Sequence, residues 1–300
     1  MTGGEFAFIR QIRAATPPHP RVLVGPGDDC AVTAGPGRLL VTTDVLTEGV
    51  DFILAECGPR AVGRKAMAVN LSDIAAMGGR PLAAVVGVVV PKGTESVTEL
   101  QLGLRDVADA FDTPIVGGDT NTWAGGLVVS VTVFGEPIRE PVLRSGAKPG
   151  DWIFVTGPCG GSILGRHLTP TPRLKEAEVL VTNYPIHAMI DVSDGLAKDL
   201  HHILEESHCG AVLESNAVPI HPDAVLLAKQ SGKPPLEHAL GDGEDFELVF
   251  TVDVDTGAKL VADRPIPLWK IGECVAEFGM WTTDHGVREP LPPLGWEHGL

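Results

Sequence analysis

The sequence predicts a two-domain protein of the α/β class, and three observations support this prediction. The chain has 300 residues, a length at which one hydrophobic core usually divides into two. Both halves alternate short β-rich runs with segments of helical periodicity. Between them, residues 137–150 are rich in proline, glycine and charge, as is typical of a boundary. We therefore predict an N-terminal domain over residues 1–148 and a C-terminal domain over residues 149–300.

In the first half, hydrophobic spacing predicts four strands and two helices. The strand-like runs cover residues 38–43, 82–90, 113–116 and 126–134. Residues 60–77 and 95–111 place their apolar side chains near one face, which predicts amphipathic helices. Gly78 and Gly79, followed by Pro81, form a strong stop signal for the first helix.

The second half repeats this alternation, with a glycine-rich turn near its start. The predicted elements are strands at 151–156, 188–191, 211–213 and 246–252, a helix after the turn, and a helix at 196–207. The turn at 156–162 could seat a phosphate on a helix N-terminus. An ordinary strand-to-helix connection is the simpler interpretation.

Composition excludes several classes of function. Lys and Arg number 23 against 39 Asp and Glu, a formal net charge of −16, which opposes binding to nucleic acid phosphates. A small, metal-masked phosphate ligand remains compatible with this charge. The five cysteines form no CxxC pair and are expected to be reduced. The N-terminus lacks the pattern of a secretory signal, and the longest apolar run, 81–91, is too short to span a membrane. We expect a soluble, cytoplasmic protein with no membrane partner.

Aspartates recur where predicted strands end. They are Asp28, Asp29, Asp44, Asp119, Asp191 and Asp194. Asp73 adds a carboxylate inside an otherwise apolar helix, where burial is costly without a partner. For any one of them, the preference of Asp for turns and helix caps is a sufficient explanation. As a set, these aspartates suggest that their carboxylates converge on one site.

Convergence of these carboxylates would require a cation. Two carboxylates about 4 Å apart repel by roughly 4 kcal/mol at an effective dielectric of about 20. Oxygen ligands favour Mg²⁺, Mn²⁺ or Ca²⁺ over zinc, and Mg²⁺ with few protein ligands usually acts on substrate phosphates. The histidines and cysteines show no zinc spacing.

Read in order, the motifs resemble the thiamine-monophosphate kinase family. This family belongs to a superfamily that includes aminoimidazole-ribonucleotide synthetase, selenophosphate synthetase and a hydrogenase maturation factor. The matching segments are 4–6 (GEF), 27–32 (GDDCAV), 42–44 (TTD), 65–78 (KAMAVNLSDIAAMG), 117–120 (GGDT), 144–151 (RSGAKPGD), 191–196 (DVSDGL) and 243–248 (GEDFEL). The resemblance therefore covers nearly the whole chain, and the long 65–78 block is specific to the kinase branch.

The resemblance implies ATP-dependent transfer of a phosphoryl group to thiamine monophosphate, with several Mg²⁺ ions between the substrates. Carried over by position, the metal ligands are Asp29, Thr42, Thr43, Asp44, Asp73, Asp119, Asp191 and Asp194. The ATP contacts are Gly118, Asp119, Arg144 and Ser193, the thiamine-phosphate contacts are Asp51, Glu244 and Trp296, and the catalytic residues are Asp44, Asp119 and Arg144. It also implies an aminoimidazole-ribonucleotide synthetase-like fold, with a C-terminal α/β domain and an N-domain sheet that forms a β-barrel across a homodimer.

Such a reaction needs alignment and charge neutralisation more than a covalent nucleophile, and its acceptor phosphate is already ionised. The lack of a recognisable Ser/His/Asp or Cys/His constellation fits that chemistry.

The chain departs from the family pattern at or near the predicted thiamine-phosphate contacts, which we call the acceptor side. Asp51 stands where the family usually has a histidine, Asp242 replaces a glycine, and Phe246 replaces a tyrosine. Two alternatives therefore stay open: a non-catalytic binder of nucleotide or thiamine phosphate, and another ATP-dependent enzyme of the superfamily. The second is disfavoured because the first cysteine, Cys30, lies in an acidic turn and the chain ends without a C-terminal cysteine.

Overall fold

The fold consists of two mixed β-sheets, one from each half of the chain, with helices packed against them. The computed structural model describes residues 22–24, 28–34, 37–92, 97–284 and 286–297. The predicted boundary at residues 148 and 149 falls in the connection between the two sheets. Within the described residues, no helix combines the length and the apolar character needed to span a membrane.

The first sheet has six strands in the order β1-β2-β3-β6-β4-β5. They are β1 (Val22–Val24), β2 (Ala31–Ala34), β3 (Arg38–Thr47), β4 (Gly79–Pro91), β5 (Ile115–Trp123) and β6 (Val128–Pro137). Among the described strands of this sheet, only β4 and β5 pair in parallel. The described part of this sheet is open, with β1 at one edge and β5 at the other, and does not close into a barrel.

The helices of the first half are α1 (Leu54–Ala76) and α2 (Val97–Ala110). Two glycines allow their backbones to meet: a Cβ on Gly63 would lie 2.2 Å from the carbonyl oxygen of Leu100, and one on Gly103 would lie 2.0 Å from that of Arg60. Helix α1 is buried along most of its length and packs on β3 and β6. It also contacts elements of the second half, so it is the central element of the molecule.

The second sheet has seven strands in the order β13-β12-β9-β11-β7-β10-β8. They are β7 (Trp152–Val155), β8 (Ala188–Asp191), β9 (Gly210–Glu214), β10 (Leu248–Val252), β11 (Trp269–Val275), β12 (Met280–Asp284) and β13 (Val287–Pro290). The helices of this half are α3 (Leu174–Asn183), α4 (Leu196–Ser207), α5 (Pro222–Ser231), α6 (Pro235–Gly241) and α7 (Val254–Asp263).

Alternation along the central strands of this sheet divides the core into two clusters. Phe154 and Phe250, whose stacked rings lie 5.5 Å apart, join the cluster that contains α1 and the first sheet. Ile153 and Val155 belong to a second cluster with apolar residues of α4. Successive residues of a strand face opposite sides, so the second sheet connects both cores.

Two details of the predicted elements are wrong. Asp44 and Asp119 lie inside their strands and not at the ends, because β3 continues its pairing with β6 to Thr47 and β5 continues beside β4 to Trp123. The predicted helix between the glycine-rich turn and β8 is present as α3, but it begins only at Leu174, after two short 3₁₀ segments, Ser162–Leu164 and Arg166–Leu168.

Candidate active site

Three of the predicted aspartates converge where the two halves meet. Carboxylate oxygens of Asp29, Asp73 and Asp191 all lie within 4.8 Å of one another. The three residues come from the turn before β2, from α1 and from the end of β8. Thr42 Oγ1 donates to Asp73 Oδ2 at 2.5 Å, which adds a fourth predicted residue. We call Asp29, Asp73 and Asp191 the acidic cluster.

The acidic cluster adjoins a cavity of about 510 Å³ between the two halves. The predicted site residues that line it are Asp44, Asp51, Asp73, Asp191, Ser193, Asp194, Glu244 and Trp296. Residues far apart in the sequence thus reach one space, and they include predicted metal, nucleotide and acceptor contacts.

Burial and mutual repulsion disfavour ionisation of these carboxyl groups. Burial raises the pKa of Asp44 to about 6, and the charge of Asp51 contributes. Burial also raises the pKa of Asp191 to about 8, assisted by Asp29. The pKa of Asp73 is raised well above its ordinary value by burial and then by Asp44. These groups form an all-oxygen donor set in which burial and mutual repulsion oppose the charged form. Such a set fits a hard divalent cation such as Mg²⁺.

Arg144 is a permanent cation at the edge of the acidic cluster. Its Nε and Nη2 donate to the two carboxylate oxygens of Asp29 at 3.2 and 3.1 Å. Its backbone N–H donates to Asp28 Oδ1 at 2.8 Å. Burial alone would lower the pKa of Arg144, but the charge and hydrogen bonds of Asp29, together with the charges of Asp28 and Asp199, outweigh burial, so the pKa is raised. This paired geometry also fixes the direction of the guanidinium plane.

Thr43, Gly118 and Asp119 lie apart from the acidic cluster in this chain. Thr43 faces the side of β3 opposite to Thr42, where its Oγ1 accepts a hydrogen bond from Thr132 at 2.9 Å. Gly118 and Asp119 are exposed on β5 and line a second cavity of about 540 Å³ beside α2. In the sheet order, β6 and β4 separate β5 from β3.

The predicted acceptor contacts have defined positions. Asp51 Oδ2 accepts a hydrogen bond from the backbone N–H of Thr47 at 2.7 Å, so the Asp51 carboxylate stabilises the turn in which Asp51 lies. Glu244 has a left-handed backbone with φ of 53°. Trp296 is 57% exposed at the cavity rim, and its backbone N–H donates to the carbonyl oxygen of Asp194 at 3.0 Å.

The sequence analysis missed Lys65, a buried cation beside the predicted contacts Asp51 and Glu244. This side chain lines the cavity and is 1% exposed. It forms an ion pair with Glu244. The available signal was a lysine that precedes the apolar run Ala66, Met67 and Ala68 on a buried helix. A charged residue in such a run requires a partner, but the sequence does not reveal which one.

The glycine-rich turn is not a phosphate cradle in this structure. The carboxylate of Asp245 accepts the backbone N–H of Gly160 at 2.9 Å, and Asp242 Oδ2 accepts that of Gly161 at 2.7 Å. These carboxylates occupy the N–H groups that a phosphate would use. The following segment is a three-residue 3₁₀ turn, too short to provide a helix dipole.

A Ser/His/Asp chain, which the sequence reasoning did not recognise, lies beside the site. Ser231 Oγ is 2.7 Å from His238 Nε2, and His238 Nδ1 is 2.8 Å from Asp242 Oδ1. Only Asp242 of these three lines the cavity. The hydroxyl of Ser231 also accepts the N–H of Lys233. We interpret this chain as a support for the Asp242 carboxylate.

Comparisons with known proteins identify the family. Residues 27–136 match the model for the N-terminal domain of AIR synthase related proteins, and residues 148–280 match that for the C-terminal domain. The chain is 42% identical to the thiamine-monophosphate kinase of Rhodopirellula baltica over 308 aligned residues, which cover 98% of this chain and 97% of that protein. The chain belongs to the thiamine-monophosphate kinase family.

Other members of the kinase family match over similar spans. The thiamine-monophosphate kinase of Bacillus subtilis is 38% identical, with 89% of this chain and 90% of that protein covered. The solved structure of AaThiL complexed with AMPPCP and TMP superposes with a TM-score of 0.86 at 30% identity. That match covers 98% of this chain and 97% of the solved one. The two-domain fold implied by the resemblance is therefore confirmed, whereas a barrel between subunits is not visible in one chain.

Proposed function

We propose that this protein transfers the γ-phosphoryl group of ATP to thiamine monophosphate and forms thiamine diphosphate and ADP. One observation carries the proposal. The chain matches kinases of this family over nearly its whole length, and four predicted metal ligands, one predicted nucleotide contact and all three predicted acceptor contacts line one cavity. The solved AaThiL structure holds AMPPCP together with TMP, a pair that corresponds to the two proposed substrates.

Several Mg²⁺ ions are part of the proposal. Asp29, Asp73 and Asp191 would hold them, with Thr42, Asp44 and Asp194 at the acidic cluster or the cavity. The remaining predicted ligands, Thr43 and Asp119, lie apart from the cluster on β3 and β5. Bound Mg²⁺ would supply positive charge between the phosphates of the two substrates. The pKa values of Asp44 and Asp191, raised by burial and then by neighbouring carboxylates, support this assignment, since a bound cation stabilises the charged form against both effects.

The other predicted site residues bind the two substrates and orient their phosphates. Arg144, held by Asp29, stabilises negative charge that develops during transfer. Ser193 and Gly118 contact ATP, and Glu244, Trp296 and Asp51 contact the acceptor. No general base is required because the acceptor phosphate is ionised near neutral pH. The catalytic contribution of Asp44, Asp119 and Arg144 is to align the reacting phosphates and to balance their charge.

A homodimer would explain why Gly118 and Asp119 lie on β5, away from the acidic cluster. Strand β5 is the edge of the first sheet, and eight of its nine residues are exposed. Long exposed edges are normally covered in native proteins. Pairing of the two first sheets in a β-barrel across the dimer would cover β5, Gly118 and Asp119. The acidic surface supports the absence of nucleic-acid partners, and the proposed location is the cytoplasm.

The activity is tested with purified protein, ATP, Mg²⁺ and thiamine monophosphate. We expect thiamine diphosphate by chromatography and an equal amount of ADP, with no product when thiamine replaces its monophosphate. ADP release that does not depend on the acceptor would contradict the proposed reaction. Binding of both ligands by calorimetry without product would instead favour the non-catalytic binder.

A further inference from the structure

Lys65 connects two segments of the acceptor side that come from different halves of the chain. Its Nζ donates to the backbone carbonyl oxygen of Asp51 at 2.7 Å and forms an ion pair with Glu244 Oε1. The Lys65 side chain is 1% exposed, whereas that of Glu244 is 33% exposed toward the cavity. The Lys65 ammonium group is thus buried, whereas Glu244 is partly exposed to the cavity.

The contact with Lys65 links the turn at residues 47–52, which also pairs with Leu127 through Glu48, to Glu244 in the second half. Asp51 closes the turn internally through Thr47, and Gly49 donates to the carbonyl oxygen of Phe52 at 2.8 Å. These bonds determine the shape of the turn but do not attach it to the second half. The bond from Lys65 to the Asp51 carbonyl does so, because the same Nζ also binds Glu244.

Glu244 also requires an external restraint. Its φ of 53° is a left-handed conformation that non-glycine residues adopt at a cost, and Phe246 has a φ of 52°. The Glu244 N–H donates to the carbonyl oxygen of Ser193 at 2.6 Å, which fixes the backbone. The ion pair with Lys65 fixes the carboxylate. It also neutralises a charge that would otherwise repel an acceptor phosphate.

We propose that Lys65 is a positioning residue that determines affinity for the phosphorylated acceptor. It holds the Glu244 carboxylate and the 47–52 turn at one fixed separation across the cavity. This inference rests on the proposed function and adds a residue that acts through Glu244 and Asp51. Because Arg144 and the acidic cluster are held by other contacts, loss of Lys65 should affect the acceptor more than ATP.

The test is Lys65→Met, compared with Arg64→Met on the same helix turn. Arg64 is 41% exposed and pairs with Asp106, so its loss removes one positive charge without touching the cavity. Initial rates are measured with each substrate varied in turn. For Lys65→Met we expect the KM for thiamine monophosphate to rise about 10-fold or more, with the KM for ATP within about 2-fold, because a charge-assisted bond is lost. Arg64→Met should resemble the unmodified protein.

A double-mutant cycle with Glu244→Gln separates positioning from packing. If Lys65 acts through Glu244, the two substitutions together should raise the acceptor KM by less than the product of their separate effects. A folded Lys65→Met protein with an unchanged acceptor KM, or with equal rises in both KM values, would overturn the proposal. If Lys65→Met does not fold, Lys65→Gln retains a hydrogen-bond donor and allows the same comparison.

Calorimetric binding of thiamine monophosphate distinguishes this inference from the proposed function. If the unmodified protein binds the acceptor but makes no product, the kinase proposal fails and Lys65 is still tested by the loss of affinity. Unchanged affinity in Lys65→Met, beside normal turnover in the unmodified protein, would reject only the role of Lys65.

Discussion

Ser72 donates a hydrogen bond of 2.5 Å to Asp191 Oδ2 across the junction of the two halves. Ser72 is fully buried on α1, and Asp191 is the last residue of β8. The next residue, Asp73, belongs to the acidic cluster together with Asp191. The docking of α1 against β8 and the construction of the acidic cluster therefore depend on the same short segment.

Ser72→Ala should weaken the use of Mg²⁺ more than it weakens the fold. Burial raises the pKa of Asp191, and the hydrogen bond from Ser72 partly opposes that rise, so loss of this bond leaves a carboxyl group that ionises and binds a cation less readily. We expect turnover at limiting Mg²⁺ to fall by about 10-fold and to recover at high Mg²⁺. Rates measured over a Mg²⁺ series check this, with Ser215→Ala as control. A loss that high Mg²⁺ does not restore would indicate a packing role instead.

Asp44→Asn should remove most activity while the fold remains intact. Asparagine keeps the shape of the side chain, and the Asp44 N–H still donates to Asn70 Oδ1. Loss of one carboxylate from a bridged metal site should reduce kcat on the order of 10³-fold or more. Asp255→Asn, an exposed change on α7, serves as control. Near-normal kcat with Asp44→Asn, measured in the product assay, would exclude Asp44 from the metal site.

Stability without metal should fall as the pH rises. The folded-state pKa values of Asp44 and Asp191, about 6 and about 8, lie above the ordinary value of 3.8. The folded state therefore binds more protons than the unfolded state between about pH 4 and pH 8, and its stability decreases through that range. We expect Tm in EDTA to decrease from pH 5 to pH 8, about the limits of this window, and Mg²⁺ to raise Tm most at the higher pH. A Mg²⁺ effect equal at both pH values would contradict this assignment.

The sequence predicted the elements that carry the acidic cluster better than it predicted the length of β5 or the partner of Lys65. The helical periodicity of α1 and the aspartates after apolar runs suggested that Asp73 and Asp191 converge, and in the structure both belong to the acidic cluster. Strand β5 was predicted only to residue 116, because Gly117 and Gly118 have low β propensity, whereas pairing with β4 extends it to Trp123. Lys65 was missed because its partner, Glu244, lies in the other half of the chain.

Several elements of the second half were also missed, although some carry local signals. Helices α5 and α6 begin with Pro222 and Pro235, and proline is favoured in the first helical position. Asp253 caps α7 by accepting the N–H of Thr256 at 2.7 Å. In contrast, β13 is exposed throughout, so it has no apolar alternation from which to predict a strand.

Val116→Lys should disrupt the proposed homodimer. Val116 is 64% exposed on the edge strand β5, and a lysine there would place a charge in the interface. Val287→Lys is a matched control, because Val287 is 62% exposed on β13, the edge of the other sheet. By light scattering after gel filtration we expect a monomer for Val116→Lys and a dimer for Val287→Lys. An unmodified protein that is monomeric would refute the proposed dimer.

Asp51→His tests how the acceptor side tolerates a carboxylate where the family usually has histidine. Asp51 Oδ2 accepts the N–H of Thr47 at 2.7 Å, so its carboxylate is committed to the turn. A histidine would lose this bond, at a cost of about 1 kcal/mol of stability. It would also present a ring N–H that can donate to the acceptor phosphate, which an ionised carboxylate cannot do.

We therefore expect Asp51→His to retain kcat and to lower the KM for thiamine monophosphate or its dependence on Mg²⁺. Asp51→Asn is the matched control, because its amide oxygen can still accept from Thr47 while the charge is removed. If removal of charge is sufficient, both variants should lower the KM. If the donor is required, only histidine should do so. A large loss of kcat in Asp51→His with unchanged stability would show that this site depends on the carboxylate itself, and would direct the search toward a different acceptor.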